Sequence, residues 1–201
     1  MPLKTRSTGS DDDLATVFYR PQQQTSQNRN RERILHSRLQ TAGISYKSLH
    51  VAEAGGCLLN LSGTKVTDLS LLIGMPLTHL CLQGCFGIED FSPLGRMALD
   101  WLNLSRTRIV GLTPLARLPL RYLRLWRTKV EDLSPFSQVP LESLDIRFSQ
   151  VSDLTPLKSV PLRELFFFPQ RITQGLQGLR DIRTLCRING RDPARFWDRR
   201  S

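Results

Sequence analysis

The chain has 201 residues, 40% of them hydrophobic, with a formal net charge of +10 and a pI near 10.2. That is enough apolar material for one domain with a core plus a polar tail, and no apolar run approaches the roughly 18 residues that span a bilayer. The positive balance, carried mainly by arginine, admits an acidic protein, a nucleic acid or an anionic surface as partner and selects none of them.

Residues 1–30 combine "STGSDDD" with "RPQQQTSQNRN". They lack apolar residues and any period, which predicts a disordered tail, and the first eighteen contain no apolar core of a secretory signal. "RERILHSRLQTAG" then predicts a short amphipathic helix closed by Gly43, with Ile34, Leu35 and Leu39 inward. "YKSLHVAEAGGCLLNL" predicts a strand, a turn at Gly55-Gly56 and a second strand. Residues 31–55 are thus expected to cap the domain that follows.

From residue 56 the chain repeats itself. Units open at residues 56, 77, 99, 120, 141 and 162, in steps of 21, 22, 21, 21 and 21, with the extra residue inside Gly84–Gly87. Leu80, Leu102, Leu123, Leu144 and Leu165 recur at one position. Leu82, Leu104, Leu125, Ile146 and Phe167 form a second ladder, and Val66, Ile88, Ile109, Val130, Val151 and Ile172 a third. One unit cannot bury such a face alone, whereas stacked units make a continuous core. The third ladder is followed by "DFSPL", "GLTPL", "DLSPF" and "DLTPL". Ser92, Thr113, Ser134 and Thr155 suit an N-cap, and Pro93, Pro114, Pro135 and Pro156 suit a first helical position that needs no N–H. About 21 residues per coil leave room for a short helical turn and no long helix.

These phrases, with "GTKVTDLSLLIGMPLTHLCLQG" and the closing "ITQGLQGLR", resemble bacterial short leucine-rich repeats, in particular the C-terminal repeat region of some bacterial serine/threonine protein kinases, over roughly residues 34–198. Gly111 for the usual Asp, Ala98 for Pro and Leu71 for Pro depart from the pattern. The resemblance implies an α/β fold: a right-handed leucine-rich-repeat solenoid with a single curved parallel sheet on its concave side, short helical or 3-10 turns on its convex side, and helical caps. Six coils are expected over residues 56–182. "GLQGLRDIRTLCRING" is predicted to be helix-like, with Leu176, Leu179, Ile182 and Leu185 on one face, and residues 183–201 are expected to form a C-terminal cap in which Phe196 and Trp197 fold over the last coil.

No motif of a nucleophilic serine elbow, phosphate loop, zinc protease or dinucleotide fold occurs, and the HRD and DFG motifs of a kinase are missing, so the sequence predicts neither an enzyme nor a cofactor. Cys57, Cys81, Cys85 and Cys186 form no CxxC pair, and His36, His50 and His79 are scattered. That pattern predicts reduced thiols in a cytoplasmic protein and no metal site.

What remains is the face opposite the leucine ladders. In LxxLxL the alternating residues point away from the core, which selects His79, Cys81 and Gln83, then Trp101, Asn103 and Ser105, then Tyr122, Arg124 and Trp126, then Ser143, Asp145 and Arg147, then Glu164, Phe166 and Phe168. Trp101, Tyr122, Arg124, Trp126, Arg147, Phe166 and Phe168 are the candidate contact residues, because Trp, Tyr and Arg dominate binding hot spots and large exposed apolar patches mark partner sites. The competing reading is a solvated arginine-rich edge whose aromatics cover neighbouring side-chain stems. The expected function is a protein-interaction module, monomeric, that grips a protein or peptide of acidic character. Nucleic-acid binding through Arg106, Arg108, Arg127 and Lys129 with base stacking on Trp101, Tyr122 and Trp126 is the alternative, as is a regulatory or sensor piece of a kinase.

Overall fold

The structure, a computed structural model, describes residues 26–52 and 56–198. Most of the expected tail lies outside these residues. Its last part does not: helix α1 runs Ser26–Thr41, so residues 26–30 are helical. Asn28, Leu35 and Leu39 recur on the side of α1 that is buried, and the Asn28 side-chain amide donates to the Ala52 carbonyl at 3.5 Å. Ile34, expected inward, is 52% exposed. Neighbouring helical positions are about 100° apart, and Leu35 takes the inward one. After α1 the Ile44 N–H bonds back to the Leu39 carbonyl at 2.9 Å, closing the helix at Gly43.

Among the described residues eight strands follow in one sheet whose spatial order is the chain order. They are β1 (Ser48–Val51), β2 (Cys57–Asn60), β3 (Leu77–Cys81), β4 (Trp101–Asn103), β5 (Tyr122–Arg124), β6 (Ser143–Asp145), β7 (Glu164–Phe166) and β8 (Arg187–Ile188). β1 runs antiparallel to β2 and every later pair is parallel. The register sets Leu102, Leu123, Leu144 and Leu165 directly opposite one another, so the first ladder is the sheet's buried face. The second ladder is buried throughout, as is the third from Ile88 to Val151, with its end members Val66 and Ile172 half-buried against the same core. One core therefore runs from α1 to β8.

On the far side each coil makes a 3-10 turn: Ser70–Leu72, Ser92–Arg96, Thr113–Leu115, Ser134–Phe136 and Thr155–Ser159. The serines and threonines expected as N-caps are already the first turn residue, and the capping acceptor stands two places earlier. Asp68, Asp90, Asp132 and Asp153 each accept the backbone N–H of Ser70, Ser92, Ser134 and Thr155 at 2.7–2.8 Å. This is an Asx turn, which a carboxylate serves better than a hydroxyl. Hydrogen bonding to Ser70 and Ser134 holds the Asp68 and Asp132 carboxyls below the usual range.

The C-terminal end departs from expectation. In place of a helix, residues 177–181 form a 3-10 turn and Arg187–Ile188 extends the sheet by a further parallel strand. Leu176, Leu179, Ile182 and Leu185 are spaced by three, the period of 3-10 turns, not the 3.6 of an α-helix. Beyond β8 a helical turn, Pro193–Trp197, is capped by the Asp192 carboxylate accepting from the Ala194 N–H. Phe196 and Trp197 pack against the core, with Phe196 5.9 Å from the Phe167 ring and Arg180 4.5 Å above Trp197.

Candidate functional site on the outer sheet face

Parallel pairing places equivalent residues of successive coils side by side, about 4.8 Å apart. Three columns point away from the core. The first reads His79, Trp101, Tyr122, Ser143, Glu164, and the second Cys81, Asn103, Arg124, Asp145, Phe166. The third follows each strand at Gln83, Ser105, Trp126, Arg147 and Phe168.

The face is not uniform along its length. Towards the N-terminal coils it is closed over. Trp101, expected to be an exposed contact, is only 3% exposed. It clusters with Cys81 and Tyr122, stacks on His79 with centroids 6.4 Å apart, and carries the Arg124 guanidinium 5.9 Å above its ring. Alternation put Trp101 on the correct face, but its neighbours cover it. Burial pushes the His79 imidazole down, against the opposing field of Asp100, and burial lifts the Cys81 thiol to about 11. Cys57, buried under the first coil, is pushed up to about 12 by desolvation and then by Glu32. Neither thiol is a nucleophile at neutral pH. Asn103 is buried as well; its side-chain oxygen accepts the Ser105 N–H at 2.9 Å and its amide donates to Gln83 at 3.0 Å.

Towards the C-terminal coils the face opens. Tyr122, Arg124, Trp126, Arg147, Phe166 and Phe168 are half-buried there. Arg147 is already engaged. Its Nε and Nη2 donate to the two Asp145 carboxylate oxygens at 2.9 and 2.6 Å, and its backbone N–H donates to the same carboxylate at 3.0 Å. Asp145 is buried, so this fork compensates a carboxylate withdrawn from water. Arg147 also lies 5.2 Å above the Phe166 ring. Its part in any contact is therefore to hold Phe166 and Asp145 in place as much as to offer charge. Edge ion pairs, Arg121 with Glu142 at 2.6 Å and Arg187 with Glu164 at 3.0 Å, tie adjacent coils beside the aromatic band.

One contact residue escaped the sequence reading. Phe148, 54% exposed, stands edge-on to Trp126 at 6.0 Å and to Phe168 at 4.6 Å, and joins them into one three-ring surface. It sits just past the alternating strand, where the chain leaves the sheet. The equivalent residues in the preceding coils are Gly63, Gly84, Arg106 and Arg127, and all five have a left-handed backbone, with φ of 68°, 69°, 56°, 53° and 57° for Gly63, Gly84, Arg106, Arg127 and Phe148. The reason is visible in the hydrogen bonds. The N–H groups of Gly63, Gly84, Arg106 and Arg127 reach the Gln83, Ser105, Trp126 and Arg147 carbonyls of the next coil at 2.8–3.0 Å, continuing the inter-coil ladder past the strand. Just beyond, the hydroxyls of Thr107, Thr128 and Ser149 donate back to the Leu104, Leu125 and Ile146 carbonyls at 2.7 Å and close each turn. Glycine takes this conformation without strain, whereas a residue with a Cβ loses about 1–2 kcal/mol there.

Among the described residues no group of three or more His, Cys, Asp or Glu could hold a metal ion, and no helix is long and apolar enough to cross a membrane. No protein-family model matches the sequence, and no curated protein matches it. Among solved structures the chain is similar to internalin C2 of Listeria monocytogenes, at 27% identity and a TM-score of 0.56, over 63% of this chain and 57% of that one. Internalin F of the same species matches at 22% identity and a TM-score of 0.45, over 63% of this chain and 51% of that one. The chain thus spans little more than half the length of these internalins. Together with the 21-residue period, the in-register leucine ladders and the 3-10 turns, the likeness to internalin C2 makes this fold a leucine-rich-repeat solenoid of the bacterial kind.

Proposed function

We propose that the protein is a non-enzymatic interaction module that binds a protein or peptide of acidic character through the outer sheet face of its C-terminal coils. The observation that carries this reading is the ring surface of Trp126, Phe148 and Phe168, with Phe166 beside it, set among Arg124, Arg127 and Arg147. Aromatic side chains give large contact area at low entropic cost, and aromatic and arginine residues are enriched at interfaces. The candidate contacts are Tyr122, Arg124, Trp126, Arg147, Phe166 and Phe168, to which Phe148 is added. Trp101 supports the face from beneath. A monomer in a reducing, cytoplasmic compartment is the corresponding setting, in keeping with Cys57, Cys81 and Cys85 as buried free thiols. A split-off regulatory or sensor module of a serine/threonine kinase is an alternative to this reading, and it rests only on the resemblance of the repeat phrases to kinase-linked repeats.

Nucleic-acid binding is the second reading, favoured by one observation: Arg106, Arg108, Arg127 and Lys129 make no ion pair among the described residues. Salt separates the two. Phosphate contacts make affinity fall log-linearly and steeply with salt through counterion release, whereas an aromatic-anchored protein contact falls only slightly. The test is a captured host protein titrated against wild type and Trp126→Ala at two salt concentrations. The expected result is a loss with Trp126→Ala of about 1–3 kcal/mol and shallow salt dependence. Binding indifferent to Trp126→Ala and abolished by neutralising the four basic residues overturns the protein reading.

A further inference from the structure

The left-handed row sets a constraint of its own. In the first two coils the position is glycine, as the backbone prefers; in the next three it is Arg106, Arg127 and Phe148, with the same φ. The fold does not need these side chains there, because Gly63 and Gly84 make the same inter-coil hydrogen bonds. All three are exposed. Arg106 and Arg127 make no ion pair among the described residues, and Arg127 is steadied 5.5 Å above the Trp126 ring. The left-handed backbone belongs to the fold, but a large side chain carried on it adds strain that glycine avoids, and such strain is found where the side chain itself is used.

We propose, building on the sheet-face reading above, that Arg106, Arg127 and Phe148 are its specificity row. They take one extended segment of a partner protein that carries an Asp or Glu roughly two or three residues from an aromatic or large aliphatic side chain. The spacing follows from the coils. Two guanidinium groups rooted about 4.8 Å apart can share one carboxylate, and Phe148 lies one coil further, so acid and apolar group must stand about 7–10 Å apart. An extended chain rises about 3.3 Å per residue, which sets the interval. The carboxylate accepts hydrogen bonds from both arginines, and the apolar side chain fills the angle between the edge-on rings of Phe148, Trp126 and Phe168. A cationic ligand does not suit these rings, because the arginines beside them repel it.

The row makes an unusual demand on its variants, which gives the test its edge. Asparagine tolerates left-handed backbone better than Arg or Phe, so Arg106→Asn/Arg127→Asn should melt at or above the wild-type temperature while binding more weakly. Phe148→Asn gains the same relief but gives up the ring contacts with Trp126 and Phe168, and is read by its binding alone. Short random peptides are displayed and selected on the immobilised full-length protein, and the enriched sequences are resynthesised with a fluorophore. The selected peptides are expected to carry the acid-to-apolar spacing. The double asparagine variant should lose roughly tenfold in affinity and its preference for the acid, and Phe148→Asn a similar factor with its preference for the apolar residue. Peptides enriched without that spacing, no enrichment at all, or asparagine variants that bind as wild type overturn the row; so does a double arginine variant that melts lower, because those side chains would then serve the fold. If Trp126→Ala releases the peptides while the asparagine variants do not, only the row fails. If Trp126→Ala also binds as wild type, the sheet-face reading falls with it. Tight binding of a fluorescent oligonucleotide, lost in the double asparagine variant, gives the row to nucleic acid instead.

Discussion

Gly175→Ala is the most discriminating probe of how the last coils are stacked. Gly175 has φ +76°, and a Cβ built there would lie 2.3 Å from the Thr155 backbone nitrogen and 2.6 Å from the Leu154 carbonyl carbon. These are backbone atoms of the preceding coil, so no side-chain rotation relieves the clash. Holding alanine in the left-handed region costs about 1–2 kcal/mol. Pushing the two coils apart adds an overpacking cost of about 1–3 kcal/mol and weakens the Leu154 N–H bond to the Gln174 carbonyl, now 3.0 Å. The sum is about 2–5 kcal/mol, or a fall in melting temperature on the order of 10 °C for a chain of this length. Gly178, three residues on, is the control: a Cβ there meets nothing within 4 Å and φ is ordinary. Thermal melts followed by circular dichroism should show Gly175→Ala well below wild type and Gly178→Ala within about 0.5 kcal/mol of it. Equal melts for the two variants would refute the close approach of the coils.

Adjacent residues should part company in the fifth strand's coil. Leu125 is fully buried, so Leu125→Ala should cost about 2–5 kcal/mol in a denaturant titration, whereas Trp126→Ala should cost less stability and show its effect in binding. The His79 imidazole is held below its usual pKa by burial, so the unfolded chain binds the proton more readily and stability should fall as pH drops below about 6.5; His79→Gln should flatten that part of a stability–pH curve, and an unchanged slope would place the effect elsewhere. Trp197 is half-buried over the last coil beneath Arg180, so Trp197→Ala should lower stability by about 2 kcal/mol; an unaltered melt would make it a surface residue.

Much of this was legible because a solenoid writes its core as a period. Leu80 to Leu165 recur at fixed steps, and one buried face is the only use a fold has for such a column. The outer face was legible less completely, for a physical reason: alternation tells which side of the sheet a residue takes, not what covers it. Trp101 is buried because His79, Tyr122 and Arg124 happen to be large enough to close over it. Phe148 was missed because alternation ends before the turn. A signal was there nonetheless, since Gly63 and Gly84 mark that column as left-handed and the later coils break the rule. The capping acceptor was placed two residues late for a related reason: the Ser/Thr-Pro step is conspicuous, but the Asp ahead of it supplies the oxygen. Between 176 and 185 a spacing of three resembles one face of a helix, although it fits 3-10 turns better.

Hydroxyl-radical footprinting of the full-length protein, with and without a selected peptide, shows whether a partner sits on the outer face of the C-terminal coils. Protection is expected at Trp126, Phe148, Phe166 and Phe168, with no change at the exposed Leu71 and Val110. Protection at Leu71, Val110 or along α1, with the four aromatic rings reacting as they do in the free protein, would contradict it.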